Sequence, residues 1–204
     1  LKTKHSNQIL EAIQKQCPVT DIRYKIKKTN EAERLPLEIK PEPKKATTIT
    51  LKNTINLNES YSFDKFVVST NNALAFAVAK EVASSPGTKH NPLFIYGGVG
   101  LGKTHLAQAI GHEVKKKNPD TKIVYVSCET FTNDFINAIA TRKMAEFKKN
   151  YREVDILIVD DIQFLSSKEG SQEEFFHTFN SLHQASRQII MTADKPPQAI
   201  PALE

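Results

Sequence analysis

A glycine-rich stretch from Gly97 to Thr104 is the part of the sequence with the clearest capacity for chemistry. It reads GGVGLGKT and matches the Walker A pattern G-x-x-x-x-G-K-[ST] in full, between a short apolar run and a helical pattern. Glycines let the backbone wrap closely around a phosphate with its N–H groups pointing inward, and the following helix adds the positive end of its dipole. The stretch therefore predicts a nucleoside triphosphate site. Its residues are Gly97, Gly98, Val99, Gly100, Leu101, Gly102, Lys103 and Thr104.

Side chains at the end of this loop have distinct predicted roles. Lys103 places a positive charge at the β- and γ-phosphates, and the Thr104 hydroxyl ligates Mg²⁺. His105 follows directly and is included in the predicted nucleotide site, although packing of its ring on the helix is the simpler interpretation. ATP or ADP with Mg²⁺ are the predicted cofactors.

Two adjacent acids follow a later apolar run, Ile156 to Val159, as in a Walker B motif. In a nucleotide-binding sheet the end of such a strand lies beside the phosphate loop. We therefore predict that Asp160 holds Mg²⁺, directly or through water, and that Asp161 orients and polarises the attacking water. Asp194 follows another apolar run and could contact the γ-phosphate or the water, although a simple turn acid before Pro196 is nearly as good an interpretation.

The pattern around these motifs alternates between strands and helices. Apolar runs predict strands at Leu93–Tyr96, Ile123–Ser127, Ile156–Val159 and Ile189–Thr192. Helical spacing predicts helices at Asn71–Ala83, Lys103–Lys117, two stretches within 130–150, and Gln172–Ala185, the last with Phe175, Phe176, Phe179 and Leu182 facing inward. Continuous apolar strands separated by helices indicate an α/β fold with a parallel sheet covered on both faces.

Composition narrows the class of protein. The 204 residues carry a net charge of +5, which is compatible with nucleic acid but weak evidence for it. No apolar run approaches the roughly 20 residues that a membrane span needs. The two cysteines, Cys17 and Cys128, form no metal-binding cluster and fit a reducing cytosol. Cys128 ends a predicted strand and is interpreted as a packing residue.

Three regions are predicted along the chain. Residues 1–28 read as a helix and a strand, too little for a domain, and residues 29–56 read as a flexible linker rich in Lys, Glu, Thr and Pro. Residues 57–204 contain the motifs. The sequence does not begin with Met, so we expect it to be a piece of a longer protein.

Three blocks resemble the bacterial chromosomal replication initiators of the DnaA family: NPLFIYGGVGLGKTHLAQAIGH, VDILIVDDIQFLSSKEGSQEEFFHTFNSLH and IIMTADKPPQAI. The resemblance implies an AAA+ P-loop three-layer sandwich with a mostly parallel sheet, preceded by the tail of an N-terminal interaction domain (1–28) and a linker (29–56). The segment YSFDKFVVSTNN resembles the family's approach to this core. By that analogy Val67 and Val68 line the adenine site, and Asn72 occupies a position that is usually asparagine.

The resemblance also implies a function and partners. The family binds ATP, assembles on origin DNA and helps to open it, with slow ATP hydrolysis as the reset. Single-stranded DNA is bound by the core, double-stranded DNA by a C-terminal domain, and a replicative helicase or regulators by the N-terminal domain. The implied location is the bacterial cytoplasm.

Some positions depart from the family pattern. Ser69 stands where glycine is usual, Ala73 where arginine is usual, and Gly170 where arginine is frequent. In the family the arginine supplied to a neighbour's ATP, the helical lid and the duplex-DNA-binding domain come after the position of Glu204. We therefore expect this piece to lack its lid domain and to be nearly inactive alone.

A candidate DNA-binding surface lies between the second and third predicted strands. Met144, Phe147 and Tyr151 share one apolar helix face, beside an arc of four cations. The basic residues are Arg142, Lys148, Lys149 and Arg152. An apolar face that docks the helix and a basic arc that stays wet suit the binding of a nucleic acid backbone. From the helix alone an ordinary solvated lysine face is the better interpretation; the family resemblance favours single-stranded DNA.

Other functions fit the same motifs. A helicase-loader ATPase would share this core and bind a helicase rather than assemble on DNA. A small P-loop kinase would need an arginine-rich lid, and no arginine follows Arg187. A non-catalytic module could sense ADP against ATP, although Asp161 speaks mildly against it. A turnover assay separates the last case from a slow ATPase.

Overall fold

The computed structural model describes residues 57–167 and 169–200. The predicted N-terminal piece (1–28) and linker (29–56) lie outside the described residues. Within these residues five helices and four strands follow one another: α1 (Ala73–Ser84), β1 (Leu93–Tyr96), α2 (Lys103–Lys117), β2 (Ile123–Ser127), α3 (Cys128–Ala140), α4 (Met144–Arg152), β3 (Ile156–Asp160), α5 (Glu169–Gln184) and β4 (Gln188–Ala193). Short 3-10 turns occupy Phe63–Lys65, Ile162–Ser167 and Pro197–Ala199.

The four strands form one parallel sheet in the order β1-β4-β3-β2. The two inner strands, β3 and β4, are buried along their whole length, which explains their continuous apolar sequences. Because all strands run the same way, their carboxyl ends meet at one edge of the sheet. The predicted α/β class with a parallel sheet is confirmed.

Helices cover both faces of the sheet, and the alternation of β3 shows how. Ile156 and Ile158 pack into a core with α1 and α2, whereas Leu157 and Val159 pack into a second core with α3, α4 and α5. Successive strand residues point to opposite faces, so one strand contributes to both cores. The architecture is therefore the expected three-layer sandwich.

The α1–β1 connection is fixed by side chains at the amino end of β4. Gln188 is buried, accepts a hydrogen bond from the Gly87 amide at 2.8 Å and donates one to the His90 carbonyl at 2.9 Å. Asn91 accepts the Ile189 N–H at 2.9 Å. Gly87 has a left-handed backbone (φ 76°), and a Cβ there would collide with the carbonyl oxygen of Ser186.

Some helix predictions need correction. Helix α1 begins at Ala73 rather than Asn71, because the Asn72 side chain binds the loop before it. Helix α5 begins at Glu169 rather than Gln172. Phe175 and Leu182 are buried as predicted, but Phe176 is 56% exposed, so its inward placement was wrong.

The helix pair after β2 packs through aromatic side chains. Phe147 and Tyr151 of α4 are buried against Phe131 of α3, and the Tyr151 hydroxyl donates to Asp134 at 2.6 Å. Cys128 is buried at the start of α3, where burial raises the pKa of its thiol to about 11. The predicted apolar face of α4 and the packing role of Cys128 are confirmed. Among the described residues, no helix combines the length and apolar character that crossing a bilayer requires.

Candidate functional site

The glycine-rich loop joins the carboxyl end of β1 to the first turn of α2. Gly100 (φ 80°) and Gly102 (φ 86°) both adopt left-handed backbone conformations that side chains disfavour. A Cβ on Gly102 would also come within 2.9 Å of the Phe66 ring. The side chains of Val99 and Leu101 are exposed, so the loop is open to solvent. Backbone conformation and close packing therefore both require glycine at the start of α2.

Lys103 is held inside the loop. Its ammonium donates to the Gly98 carbonyl at 3.0 Å and forms an ion pair with Asp194 at 2.8 Å, and its side chain is only 9% exposed. Asp194 follows β4, the strand that pairs with β1. The structure thus brings together Lys103 and Asp194, two of the residues predicted to act on the γ-phosphate.

Asp160 lies at the end of β3 and is buried. The Thr104 hydroxyl donates to its two oxygens at 2.8 and 3.1 Å, and the Tyr125 hydroxyl donates at 2.8 Å. The Thr192 hydroxyl from β4 also donates to it. Three hydroxyl donors from three elements therefore surround one carboxylate.

Asp161 has different side-chain partners from Asp160. Its backbone is left-handed (φ 57°), and its N–H donates to the Thr192 hydroxyl at 3.0 Å. The Gln163 amide donates to Asp161 and to Asp194, each at 3.3 Å. Burial, and then the charge of Asp160, raises the pKa of the Asp161 carboxyl above its ordinary value of 3.8. Asp161 is therefore a stronger proton acceptor than an ordinary aspartate.

The donor set beside the loop fits Mg²⁺. This cation prefers carboxylate, hydroxyl and water oxygens in proteins. The Thr104 hydroxyl and an Asp160 oxygen lie 2.8 Å apart, where the first turn of α2 meets the end of β3. These two residues are the ones that would hold the cation, and their binding of Mg²⁺ stays a prediction.

His105 lies under the segment that leads into the core. Its Nε2 donates to the Ser62 carbonyl at 2.8 Å, its ring stacks on Tyr61 at 5.0 Å between centroids, and it meets Phe66 edge-on at 5.2 Å. These contacts support the packing interpretation and occupy the ring. A direct role of His105 in nucleotide binding stays a prediction.

The residues predicted to line an adenine site lie in one loop before α1. The Asn72 carboxamide accepts the Ser69 N–H at 2.7 Å and donates to the Val67 carbonyl at 3.0 Å. Val67 is 81% exposed, and Val68 is also exposed. Asn72 thus shapes the loop that presents the two valines, and their contact with adenine stays a prediction.

The four predicted DNA-binding cations do not form one surface. Lys148 and Lys149 are exposed on α4, and Arg142 is exposed between α3 and α4 with a left-handed backbone (φ 56°). The Arg152 guanidinium instead pairs with Glu174 of α5 at 2.6 Å, and the two side chains are only 22% and 10% exposed. The expectation that Arg152 stays on a wet arc was wrong, because the ion pair draws it into the α4–α5 junction.

Three residues of the site were missed in the sequence. Tyr125, Thr192 and Gln163 bind the predicted acids, yet none of them was predicted as a site residue. Thr192 is the next-to-last residue of β4 and Gln163 lies three residues after β3, whereas Tyr125 is the middle residue of β2. A polar residue near a strand end is a signal for Thr192 and Gln163 once the order of the strands is known.

Comparisons with known proteins agree with these features. Residues 57–204 match the family model for the bacterial DnaA ATPase domain. The chain is 47% identical over 212 residues to the chromosomal replication initiator protein DnaA of Geotalea uraniireducens, covering 98% of this chain and 46% of that protein. Identity to a Thermus thermophilus protein of the same name is 60% over 148 residues, covering 72% of this chain and 34% of that protein. The chain thus spans less than half the length of these relatives.

Solved structures show the same similarity. Domain III of the Thermotoga maritima replication initiation protein DnaA superposes with a TM-score of 0.70 at 48% identity, covering 72% of this chain and 62% of that one. A replication initiator DnaA bound to AMPPCP and single-stranded DNA superposes with a TM-score of 0.69 at 42% identity, covering 72% and 46%. The DnaC helicase loader reaches a TM-score of 0.59 at 16% identity, covering 69% and 80%, and this similarity shows the fold alone.

Proposed function

Because the chain belongs to the bacterial DnaA family, we propose that it is the ATP-binding core of a replication initiator that assembles on origin DNA and helps to unwind it. ATP acts mainly as an assembly switch, and its slow hydrolysis resets the protein. The parent protein acts in the bacterial cytoplasm, contacts double-stranded DNA through a C-terminal domain, and contacts a replicative helicase or regulators through its N-terminal domain.

One observation carries the nucleotide part of this proposal. Lys103 and Thr104 at the start of α2 directly contact Asp194 and Asp160, which follow or end two neighbouring strands. The two residues proposed to hold the cation and the lysine proposed to bind phosphate thus lie at one edge of the sheet. This arrangement supports triphosphate binding over the binding of an uncharged ligand.

The same residues can perform hydrolysis. Water attacks the γ-phosphorus in line with the bond to the β–γ bridging oxygen, which breaks to leave ADP and phosphate. Lys103 stabilises the charge that develops on the γ-phosphate oxygens. Asp161 orients the water and accepts its proton, and Asp194 orients Lys103 through their ion pair. Mg²⁺, held by Thr104 and Asp160, would neutralise part of the phosphate charge.

Single-stranded DNA is the proposed partner of the exposed cations around α4. Arg142, Lys148 and Lys149 are exposed to solvent, and α4 packs on the core through its aromatic face. A DnaA relative has been solved with AMPPCP and single-stranded DNA bound, which supports the same chemistry here. One patch of two or three cations binds weakly, so assembly of several copies is needed to add their contributions. A helicase-loader function is supported by the shared fold alone.

Nucleotide assays on the full-length protein test this proposal. Asp161→Asn is expected to retain ATP binding and lose hydrolysis, whereas Asp160→Asn is expected to lose the Mg²⁺-dependent part of the affinity. The readouts are ATP affinity with Mg²⁺ and with EDTA, and single-turnover hydrolysis. Equal phenotypes for the two variants would contradict the division of roles, and absence of ATP binding by the unaltered protein would contradict the function.

A further inference from the structure

We propose that Tyr125 is a positioning residue for the nucleotide-bound cation, and that its hydroxyl fixes the Asp160 carboxylate in the orientation that receives the cation. This inference rests on the proposed ATP-binding function. The Tyr125 hydroxyl donates to Asp160 at 2.8 Å, and it influences the cation through that carboxylate rather than as a ligand.

The register of the sheet places Tyr125 at a distance from Asp160 that the end of its long side chain can span. Tyr125 of β2 pairs with Ile158 of β3, and Ser127 pairs with Asp160. Tyr125 and Asp160 are therefore diagonal neighbours on the face that carries α2, close enough for a long side chain to span the gap. A shorter hydroxyl residue at position 125 would not make this contact.

The carboxylate is held from both sides. Tyr125 donates to Oδ2 from the edge strand β2, and Thr192 donates to Oδ1 from β4. With one oxygen fixed by each neighbouring strand, the plane of the carboxylate cannot turn about its Cβ–Cγ bond without breaking a hydrogen bond. Thr104, the other predicted ligand, contacts this fixed carboxylate from α2.

Gln108 lies beside the Tyr125 side chain. This buried residue of α2 accepts the Asn58 N–H through Oε1 at 2.7 Å. Its oxygen is thereby used. Burial raises the pKa of Tyr125, and the Gln108 amide lowers that pKa to a smaller extent. The Tyr125 hydroxyl donates to Asp160 because an ionised carboxylate can only accept.

This arrangement connects the lead-in segment to the nucleotide site. Asn58 also accepts a hydrogen bond from His112 at 2.8 Å, and Leu57 packs on Gly111, where a Cβ would meet it at 2.8 Å. Asn58 thus binds Gln108 on α2, and Gln108 lies beside Tyr125, which binds Asp160. Partners that orient a ligating carboxylate commonly change metal affinity by about 10- to 100-fold when removed.

Tyr125→Phe in the full-length protein tests the inference, because it deletes the hydroxyl and keeps the ring. ATP affinity is measured by calorimetry in EDTA and across a Mg²⁺ titration. We expect the half-saturating Mg²⁺ concentration to rise by about 10-fold or more, with affinity in EDTA unchanged. Gln108→Met, which removes the amide beside the tyrosine, is expected to give a smaller rise in the same direction.

Tyr151→Phe is the matched control. It deletes another tyrosine-to-aspartate hydrogen bond, that of Tyr151 with Asp134, in the α3–α4 pair. A general loss of stability would affect both variants, whereas positioning of the cation affects Tyr125→Phe alone. The affinity in EDTA reports folding in each sample.

The possible outcomes distinguish failure of the Tyr125 inference from failure of the proposed ATP-binding function. A Mg²⁺ titration that is the same for Tyr125→Phe, Gln108→Met and the unaltered protein would overturn the inference and leave the proposed function intact. An equal loss of affinity for Tyr125→Phe in EDTA and in Mg²⁺ would also overturn it, because the hydroxyl would then be structural. Absence of any Mg²⁺ dependence in the unaltered protein would overturn the proposed function and the inference together.

Discussion

At the scale of single residues, the ammonium group of Lys103 donates hydrogen bonds to two acceptors. In the structure its ammonium is bound by Gly98 and Asp194, so it is already directed into the loop. A phosphate in the loop would add a charge-assisted contact to the same group. The lysine therefore needs little reorganisation to bind a nucleotide.

Lys103→Ala is expected to weaken ATP binding by about 10- to 150-fold, because one charge-assisted contact contributes roughly 1.5–3 kcal/mol. Calorimetric titration of ATP into the full-length protein measures the change. Lys116→Ala is the control, since Lys116 is exposed near the far end of the same helix. Unchanged ATP affinity in Lys103→Ala would show that the loop does not use this lysine.

Asp161 gives a second expectation, which concerns pH and stability. Its raised pKa means that the folded state holds the proton more tightly than the unfolded chain does. Above the raised pKa the ionised carboxylate lowers stability, and below 3.8 it is protonated in both states, so this penalty disappears. Asp161→Asn should therefore raise the melting temperature at neutral pH, and the gain should shrink as the pH falls through the raised pKa.

Thermal unfolding of the nucleotide-free protein between neutral and acidic pH provides the measurement. Asp120→Asn, at an exposed loop position, serves as the control and should show no such gain. A gain for Asp161→Asn that is the same at every pH would mean that repulsion and burial of the ionised acid are not its cause.

At the scale of elements, the sequence predicted best those helices and strands whose ends do not depend on contacts with neighbouring segments. Helix α2 and the strand β2 were predicted to the residue, because apolar spacing and the glycines mark their ends. The start of α1 was missed because Asn72 binds backward to Ser69 and Val67 instead of continuing the helix. A local pattern contains no information on that choice.

At the candidate site, too, local motifs identified some residues, whereas the contacts of others depend on neighbouring elements. Lys103, Thr104 and Asp160 were predicted because a motif and a strand end locate them. Tyr125 and Thr192 could not be, because their contacts depend on β3 lying between β2 and β4. Arg152 was misplaced for a related reason: a helical wheel of α4 cannot show that Glu174 of α5 faces it.

The connection between α1 and β1 supports an expectation at this scale. Gly87 and Gly100 have nearly the same left-handed backbone, with φ of 76° and 80°. A Cβ on Gly87 would meet the Ser186 backbone, whereas a Cβ on Gly100 meets nothing within 4 Å. Gly87→Ala should therefore lower the free energy of unfolding by about 1–3 kcal/mol more than Gly100→Ala, which bears the backbone strain alone.

Denaturant unfolding of the two variants without nucleotide isolates this difference. The comparison is matched because both substitutions add the same methyl group at nearly the same φ. Equal stability of the two variants would mean that the Ser186 carbonyl can move aside, so that the α1–β1 connection tolerates a methyl group at position 87.

At the scale of the whole molecule, the two proposed sites lie in different helical layers. The layer of α1 and α2 carries Lys103 and Thr104, and it packs on one face of the sheet. The layer of α3, α4 and α5 packs on the other face and carries the exposed cations. Strand β2 belongs to both, since it bears Tyr125 and leads directly into α3 at Cys128. The proposed nucleotide and DNA sites lie in different layers, so substitutions can address each of them separately.

That independence gives the final expectation. Lys148→Glu with Lys149→Glu should weaken binding of single-stranded DNA by the full-length protein in the presence of AMPPCP, without changing nucleotide affinity. The log–log dependence of binding on salt should flatten by about 0.7 for each phosphate that the variant no longer neutralises. Arg152 is not included in this test because its guanidinium pairs with Glu174.

The control is Lys116→Glu with Lys117→Glu, which makes the same change of net charge at the exposed end of α2. A general electrostatic attraction would weaken equally in both double variants, whereas a specific surface on α4 makes the first variant weaker and its salt dependence flatter. Fluorescence anisotropy of a labelled oligonucleotide across a salt series measures both quantities. Identical affinity and slope for the α4 variant and the unaltered protein would mean that Lys148 and Lys149 are an ordinary solvated face, so that any DNA contact of this core lies elsewhere.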